Sequence, residues 1–488
     1  MTRFQRCAVL SLSGASLVFW TTAASAFLHI SKKATANVSC SAGVCAATAK
    51  QAVLNVSDLA NMLASGDVTV QSGNLAQDIE IDAPLTWAST SRLTLDSYRS
   101  ITFNRPVIVA GTGALTITTN DGGAGGDYAF VGKGHVEFWD ENSDLNINGG
   151  SFFLVKNMRA LVHAGNRRGG DNIALMRNIN AGGTTYGDAP IGDYGGWLEG
   201  LGNTISNLTV NNSLNSGKLG LMRSYSPDFP LVASIRDIRL KNFQITGTGS
   251  ETKAGTLMGQ SLGGSVHDVH VSESSVSSTG VASEAGGLIG DAAAGTTSGS
   301  DSAAVISVGN NSSAGGLIGT QEQFGTPIDR SFATGAVSGG DNSKVGGLVG
   351  ENIGAPITNS YATGSVSVGN SSQVGGLVGA NEEGNIPPSI GTSYSTGTVT
   401  GGIGALVGGS LGADVADSSI SDLYWDLDTS GISDPSQGAG NVSNDHGITG
   451  VSDSQLKSAL PAGFDRHVWG QDPSINNGYP YLLGNAPQ

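Results

Sequence analysis

From Ile79 onward the chain alternates apolar and polar residues in short runs: DIEIDAPLTW, RLTLDSYRSITFNRPVIV, GALTITTN, HVEFWD and DLNINGG. A period of two is what a strand with one buried face requires. Leu93 and Leu115 open similar phrases, LTLDS and LTITT, 22 residues apart, and Val136 opens a third 21 residues later. Such spacing suits one turn of a three-sided coil. Two stretches depart from the alternation. VSDLANMLASG places Leu59, Met62 and Leu63 on one face and predicts a short helix, with Ser57 as its cap and Gly66 as its stop. SDSQLKSALPAGF predicts another, capped at Ser452 or Asp453 and ended by Pro461. Residues 27–52, small and polar, read as a flexible leader, and about 155–180 as a helical insertion in a β flank spanning 53–210.

Further on, two phrases recur together. The leucine of a Gly-x-Leu phrase falls at Leu257, Leu288, Leu317, Leu348, Leu377 and Leu406, in steps of 31, 29, 31, 29 and 29 residues. A second phrase begins at Ile205, Ile235, Val266, Ile328, Ile357, Ile390 and Ile420, with one double step whose missing member falls near Thr297. A thirty-residue unit cannot bury an apolar face alone, so successive units must stack. If their strands stack in parallel, equivalent side chains repeat about every 4.8 Å. Val345 and Val374 then share one column, and Leu348, Leu377 and Leu406 another. Phe332, Tyr361, Tyr394 and Tyr424 form an aromatic ladder. Gly346 and Gly347 allow close backbone approach, and the glycine of Ala-Thr-Gly supplies a corner with positive φ. The fold class expected is all-β, a parallel β-helix with short helical caps: repeats over 211–440 and a C-terminal cap over 441–488. The general rule for parallel crossovers is consistent with a right hand.

Composition sharpens this picture. Glycine numbers 74 while charged residues are 13%, without the period of three that collagen needs. The formal net charge of −16 disfavours a nucleic-acid partner. Arg3 and Arg6, the apolar run CAVLSLSGASLVFW and Ala24-Ser25-Ala26 have the form of a signal peptide over residues 1–26, cleaved after Ala26. Cys40 and Cys45 then remain, and an oxidising compartment would permit a local disulfide. The expected location is therefore secreted or at the cell surface, with the periplasm as an alternative and separate machinery for any outer-membrane step. No segment beyond the leader has the length of a membrane helix.

Candidate chemistry is sparse. Glycosidases need two carboxylates a few ångströms apart. The best carboxylates are Asp417, Asp422, Asp426 and Asp428, with Asp426 and Asp428 expected on one strand face; solvated turn residues are the plainer interpretation. The set of motifs typical of polygalacturonases is absent. His267 and His270 flank Asp268, but in a strand they should point to opposite faces, and no zinc-peptidase His-Glu-x-x-His phrase occurs. GQSLG around Ser261 matches a nucleophile elbow without its strand-to-helix setting. GGAGGDYAF fits one nonapeptide of a calcium-binding roll, which makes Asp121 and Asp127 weak calcium candidates. No catalytic residue and no cofactor are assigned.

GGLVGxNxGxIxNSYATGxVSxG resembles the glycine-rich repeat known as the GLUG motif, closely over 314–379 and loosely over 254–290 and 403–425. LTLDSYRSITFNRPVIVAGTGALTITTNDGG and LEGLGNTISNLTV resemble the flanks of exported bacterial proteins of the filamentous-haemagglutinin type. The resemblance implies a right-handed parallel β-helix and a role in surface attachment or matrix building without catalysis. Its partners would be glycans or molecules on host or neighbouring cells. The NPNG-type phrase of two-partner secretion is missing. Two alternatives stand beside an adhesin: a polysaccharide-active β-helix enzyme, lyase or hydrolase, and a structural component of the envelope.

Overall fold

The alternation begins earlier than Ile79. In this computed structural model, which describes residues 26–167, 170–227, 233–324, 327–415 and 418–487, the segment expected as a flexible leader is ordered strand. Phe27–Ser31 lies parallel to both Gln51–Asn55 and Asp78–Ile81. Leu28, Ile30, Ala52 and Leu54 point inward and are fully buried. Five-residue phrases such as FLHIS and QAVLN are too short to stand out among polar neighbours, so only their stacking reveals them. Between them Val38–Ser41 and Val44–Ala47 form an antiparallel hairpin in which Cys40 and Cys45 face each other and are joined by a disulfide. The signal-peptide reading falls on residues outside those described. The helix Val56–Leu63 follows, with Leu59 and Leu63 buried. Its cap is Asn55 rather than Ser57: the Asn55 side chain accepts from the backbone N–H groups of Ser57 and Asp58 at 2.8 and 3.3 Å.

Parallel strands then wind around three sides. Asp78–Ile81, Ile101–Phe103 and Tyr128–Phe130 stack on the first side. Leu85–Trp87, Val107–Val109 and Val136–Phe138 form the second. Arg92–Asp96, Ala114–Thr118 and Asp144–Ile147 form the third. Leu115 lies between Leu93 and Leu145, so Val136 is not the third member of that series; it stacks on Val107. The glycine-rich loop after Asn120 lengthens this turn of the coil and hid the true partner. The helical insertion is confined to Met158–Gly165, capped by Asn157, and strands resume at Ile173–Leu175.

The thirty-residue units stack in register. Ile235, Val266, Thr297, Ile328, Ile357, Ile390 and Ile420 make one column, with Thr297 standing where the aliphatic was missing. Ile205 is not its first member but stacks on Leu240. Ala285, Ala314, Val345, Val374 and Val407 make a second column. Leu406 departs from the leucine series: it pairs with Gln373 and is partly exposed, while the Leu377 N–H donates to Ser410 O. The last copy is therefore read through Val407-Gly408-Gly409-Ser410, one Gly-x-Leu match having fallen out of frame. Two buried core clusters result, one in the N-terminal coil and one running from Val155 through the repeats.

The longest sheet closes on itself in its pairing. Met258–Ser272 pairs with both Ile289–Ser298 and Asp301–Ser302, and Ser389–Ser395 with both Pro356–Thr358 and Tyr361–Ala362. Two columns of short strands thus run between longer strands that continue around a corner. That corner is built from non-glycine residues at positive φ, Arg330, Asn359 and Thr392, each followed by a serine. The N–H of Ser331 donates to Ser360 Oγ at 3.3 Å, and that of Ser360 to Ser393 Oγ at 3.1 Å, so the turn's orphan donors are met by the next rung. A second such ladder runs through Ser312, Ser343 and Ser372. The glycine of Ala-Thr-Gly has another use than the one expected. Gly364 is not at positive φ, but a Cβ there would lie 1.9 Å from Gly335 O.

Candidate functional site

The second half of the corner strand carries a column that faces outward: Arg239, His270, Asp301, Phe332, Tyr361, Tyr394 and Tyr424 in consecutive rungs. Phe332 and Tyr361 are stacked at 4.7 Å with planes 3° apart, and Tyr361 and Tyr394 at 5.0 Å and 5°. The aromatic ladder therefore exists, outside the coil rather than within it. It is buried because residues beyond Ser452 lie along it. Trp469 sits 6.0 Å from Tyr361 and 5.9 Å from Tyr394, and Tyr394 Oη donates to Pro480 O at 2.6 Å. The helix Asp453–Ser458 is held by a capping box between Ser452 and Gln455. The residues from Asp453 onward thus run as a strap along the flank of the repeats. Ile448–Val451 does extend the stack, pairing on Ser419–Asp426.

Where the column turns from aromatic to charged, the strap leaves space. Arg239, His270, Asp301, Phe332 and Pro487 border a cavity of about 150 Å³. Beyond the corner, His267, Asp268, Arg330, His467 and Asn485 border another of about 290 Å³. His267 and His270 do not point to opposite faces, because Asp268 sits at φ 50° and breaks the alternation. Both rings lie outside the coil, His267 Nδ1 at 2.9 Å from Ser298 Oγ and His270 against the Asp301 carboxylate. Burial disfavours the His270 imidazolium, but Asp301 more than offsets it, and the pKa is raised. Arg239 moves the other way, lowered by burial.

Near the second cavity a charged group joins the two coils, buried at Asp237, Tyr128 and Glu199, nearly so at Arg236 and open to solvent at Asp127. Arg236 donates to both oxygens of Asp127 at 3.0 and 3.1 Å, to Asp237 Oδ2 at 2.6 Å and to Tyr128 O at 2.9 Å, with its guanidinium 4.0 Å above the Tyr128 ring. Tyr128 Oη donates to Glu199 Oε2 at 2.6 Å. Burial, reinforced by Asp237 and opposed by Arg236, pushes Glu199 up to about 8. Burial likewise raises Asp237 to about 6 against the pull of Arg236. Sequence spacing gave no hint of this group, since Tyr128 and Glu199 meet across 71 residues.

The remaining sequence candidates sort as follows. Asp127 carries Arg236 as its counter-charge, while Asp121 lies by Asp96 in a separate depression. Asp426 is fully buried and accepts from Tyr479 Oη at 3.1 Å. It does not share a strand face with Asp428, which lies beyond the strand's end and donates its N–H to Asp426 at 2.9 Å. Asp422 occupies the positive-φ corner, and Asp417 lies outside the described residues. Ser261 is buried in strand and donates to Ala294 O at 2.9 Å.

Against known proteins, the model of the GLUG motif matches residues 341–367 and 370–400. The chain carries the GLUG motif. Those two copies fall on the rungs from Asp341 to Thr400, where the valine columns and the aromatic ladder are most regular. No curated protein matches significantly. Among solved structures, a "putative immunoglobulin A1 protease" from Bacteroides ovatus aligns over 68% of this chain and 93% of its own, at 16% identity and a TM-score of 0.46. At that score the likeness carries no inference about fold or activity. No helix among the described residues is long and apolar enough to cross a membrane.

Proposed function

We propose that this chain is an exported, non-enzymatic attachment protein of the filamentous-haemagglutinin-like type. It is built as a right-handed parallel β-helix, released by its signal peptide to the cell surface or the medium. One observation supports it above the others. On the sheet that follows the aromatic column in each repeat, Thr246, Ser277, Ser307, Ser338, Ser367 and Thr400 stand one above another on the outer face. Hydroxyls repeat there about every 4.8 Å; those of Ser307 and Ser338 donate within the fold, to Ser277 Oγ at 3.0 Å and Ile306 O at 3.2 Å, and keep lone pairs to accept. Such a face suits the hydroxyls of a glycan. The coil serves as a rigid platform, and the loop around Ile386, which is 54% exposed, offers additional contacts.

Binding of the full chain to a glycan array tests the reading. Ser307→Lys together with Ser338→Lys should abolish retention, while Asp→Ala changes at exposed positions leave it intact. Loss of all binding in one exposed Asp→Ala variant that still folds would sink it. The second reading, a polysaccharide-active enzyme, draws on the convergence of Arg239, His270 and Asp301 on one cavity. Reducing-end release from a panel of acidic and neutral polysaccharides, abolished by His270→Ala, would favour that reading over attachment.

A further inference from the structure

Away from both faces, the first rungs bring together an imidazole and two carboxylates that no motif announces. His29 and Glu80 are direct partners in adjacent parallel strands, and Asp82 lies two residues after Glu80 on the same face. His29 Nδ1 is 3.2 Å from Glu80 Oε2 and 2.8 Å from Asp82 Oδ2. All three donor atoms lie within 4.8 Å of one another, the one group of three metal-ligating side chains to do so among the described residues. We propose that His29, Glu80 and Asp82 bind a divalent first-row transition-metal ion of the zinc class.

The geometry agrees with this assignment. Zinc holds nitrogen and oxygen donors at about 2.0–2.2 Å, so neighbouring donors around a tetrahedral ion stand roughly 3.3–3.6 Å apart. The separations of 3.2 and 2.8 Å are shorter, so the three side chains need to part by only a few tenths of an ångström to admit an ion. The second shell is also in place: Asn104 Nδ2 donates to Asp82 Oδ1 at 2.8 Å, fixing the carboxylate with its other oxygen turned to His29. Charge favours a cation. Among the described residues no Lys or Arg ion pair reaches Glu80 or Asp82, and a single imidazolium cannot balance two carboxylates. Lys32 and Lys33 border the same depression as His29 and Asp82, so an incoming cation also meets two positive charges. A single imidazole among oxygen donors suits zinc, manganese or nickel rather than calcium. Binding requires Nδ1 free of its proton, with Nε2 carrying the hydrogen.

Isothermal titration of the untagged, EDTA-stripped full chain with zinc chloride tests the site. One equivalent should bind, and His29→Ala and Asp82→Asn should each weaken binding at least tenfold. Asn104→Ala should weaken it by about 10–100-fold, as loss of a second-shell partner does. No saturable binding, or binding unchanged in the His29 and Asp82 variants, overturns the proposal. X-ray absorption on the cobalt adduct of the unmodified chain covers the case in which a variant fails to fold. The outer-shell multiple scattering of one coordinated imidazole supports the site, and its absence refutes it.

Discussion

At the scale of single residues, Tyr361 shows what stacking does. Its ring is fully buried between Phe332 and Tyr394 and under Trp469. Tyr361→Ala should cost about 3–5 kcal/mol, as for other buried aromatics, read as a lower urea midpoint. Asn381 stands in a polar ladder instead: it accepts from Asn352 at 2.8 Å and donates to Asp414 at 2.6 Å, all three buried. Asn381→Leu should cost about 1–3 kcal/mol because both neighbours lose a partner they cannot replace with water. The position of Tyr361 in a ladder was legible from the spacing of aromatics, since equal steps in a parallel stack mean contact. Which side of the coil the ladder faces was not, because that depends on the strap that covers it. Glu199 was hidden altogether. Its folded-state pKa of about 8 stands above the ordinary 4.5, so above pH 4.5 the native state keeps a proton that the unfolded chain has released. That contribution is complete at low pH and is lost as pH climbs through about 8, and Asp237 acts in the same direction up to about 6. Stability should therefore fall between about pH 5 and about pH 8, and Glu199→Gln should flatten the decline in urea midpoints across that range.

At the scale of elements, one corner is written many times: a residue at positive φ, then a serine whose hydroxyl accepts the N–H of the previous rung. The phrases RSF, NSY and TSY carry it, and their recurrence made the period visible. The degraded copy is the exception that measures the rule. Thr297 sits 5% exposed between Val266 and Ile328, and Asp301 occupies the aromatic position beside Phe332. Thr297→Val keeps the shape and restores the column, so it should stabilise by about 0.5–2 kcal/mol, as consensus changes do. A calorimetric scan showing no rise would mean that its hydroxyl is already satisfied. The elements that escaped sequence reading share a cause. Phe27–Ser31 and Gln51–Asn55 are each five residues long and gain their core only from rungs above them. Leu406 was misplaced because a glycine-rich chain offers the same short phrase in two frames.

At the scale of the whole molecule, the array has to protect what stacking leaves exposed. A parallel ladder presents unpaired edges at both ends, and its outward aromatic column is an apolar stripe. The N-terminal end is covered by the disulfide-closed hairpin and the helix Val56–Leu63. The strap does the same for the stripe: Phe464, Trp469, Tyr479 and Leu482 form one buried cluster with Phe332, Tyr361, Tyr394 and Tyr424. It is anchored by polar contacts at several points, including Tyr424 Oη to Ala462 O at 3.2 Å and Tyr479 Oη to Asp426 at 3.1 Å. Its removal leaves the coil's own registers intact, since the columns from Ile235 to Ile420 make no use of it. A chain ending after Ser452 should therefore keep its strand content by circular dichroism yet self-associate through the bared ladder, seen as concentration-dependent species in sedimentation velocity. Changing Tyr361 and Tyr394 to serine in that shortened chain should return it to a monomer, because the stripe rather than the open edge then drives association. A shortened chain that stays monomeric at high concentration would show that the strap serves the cavities it borders rather than the ladder it hides.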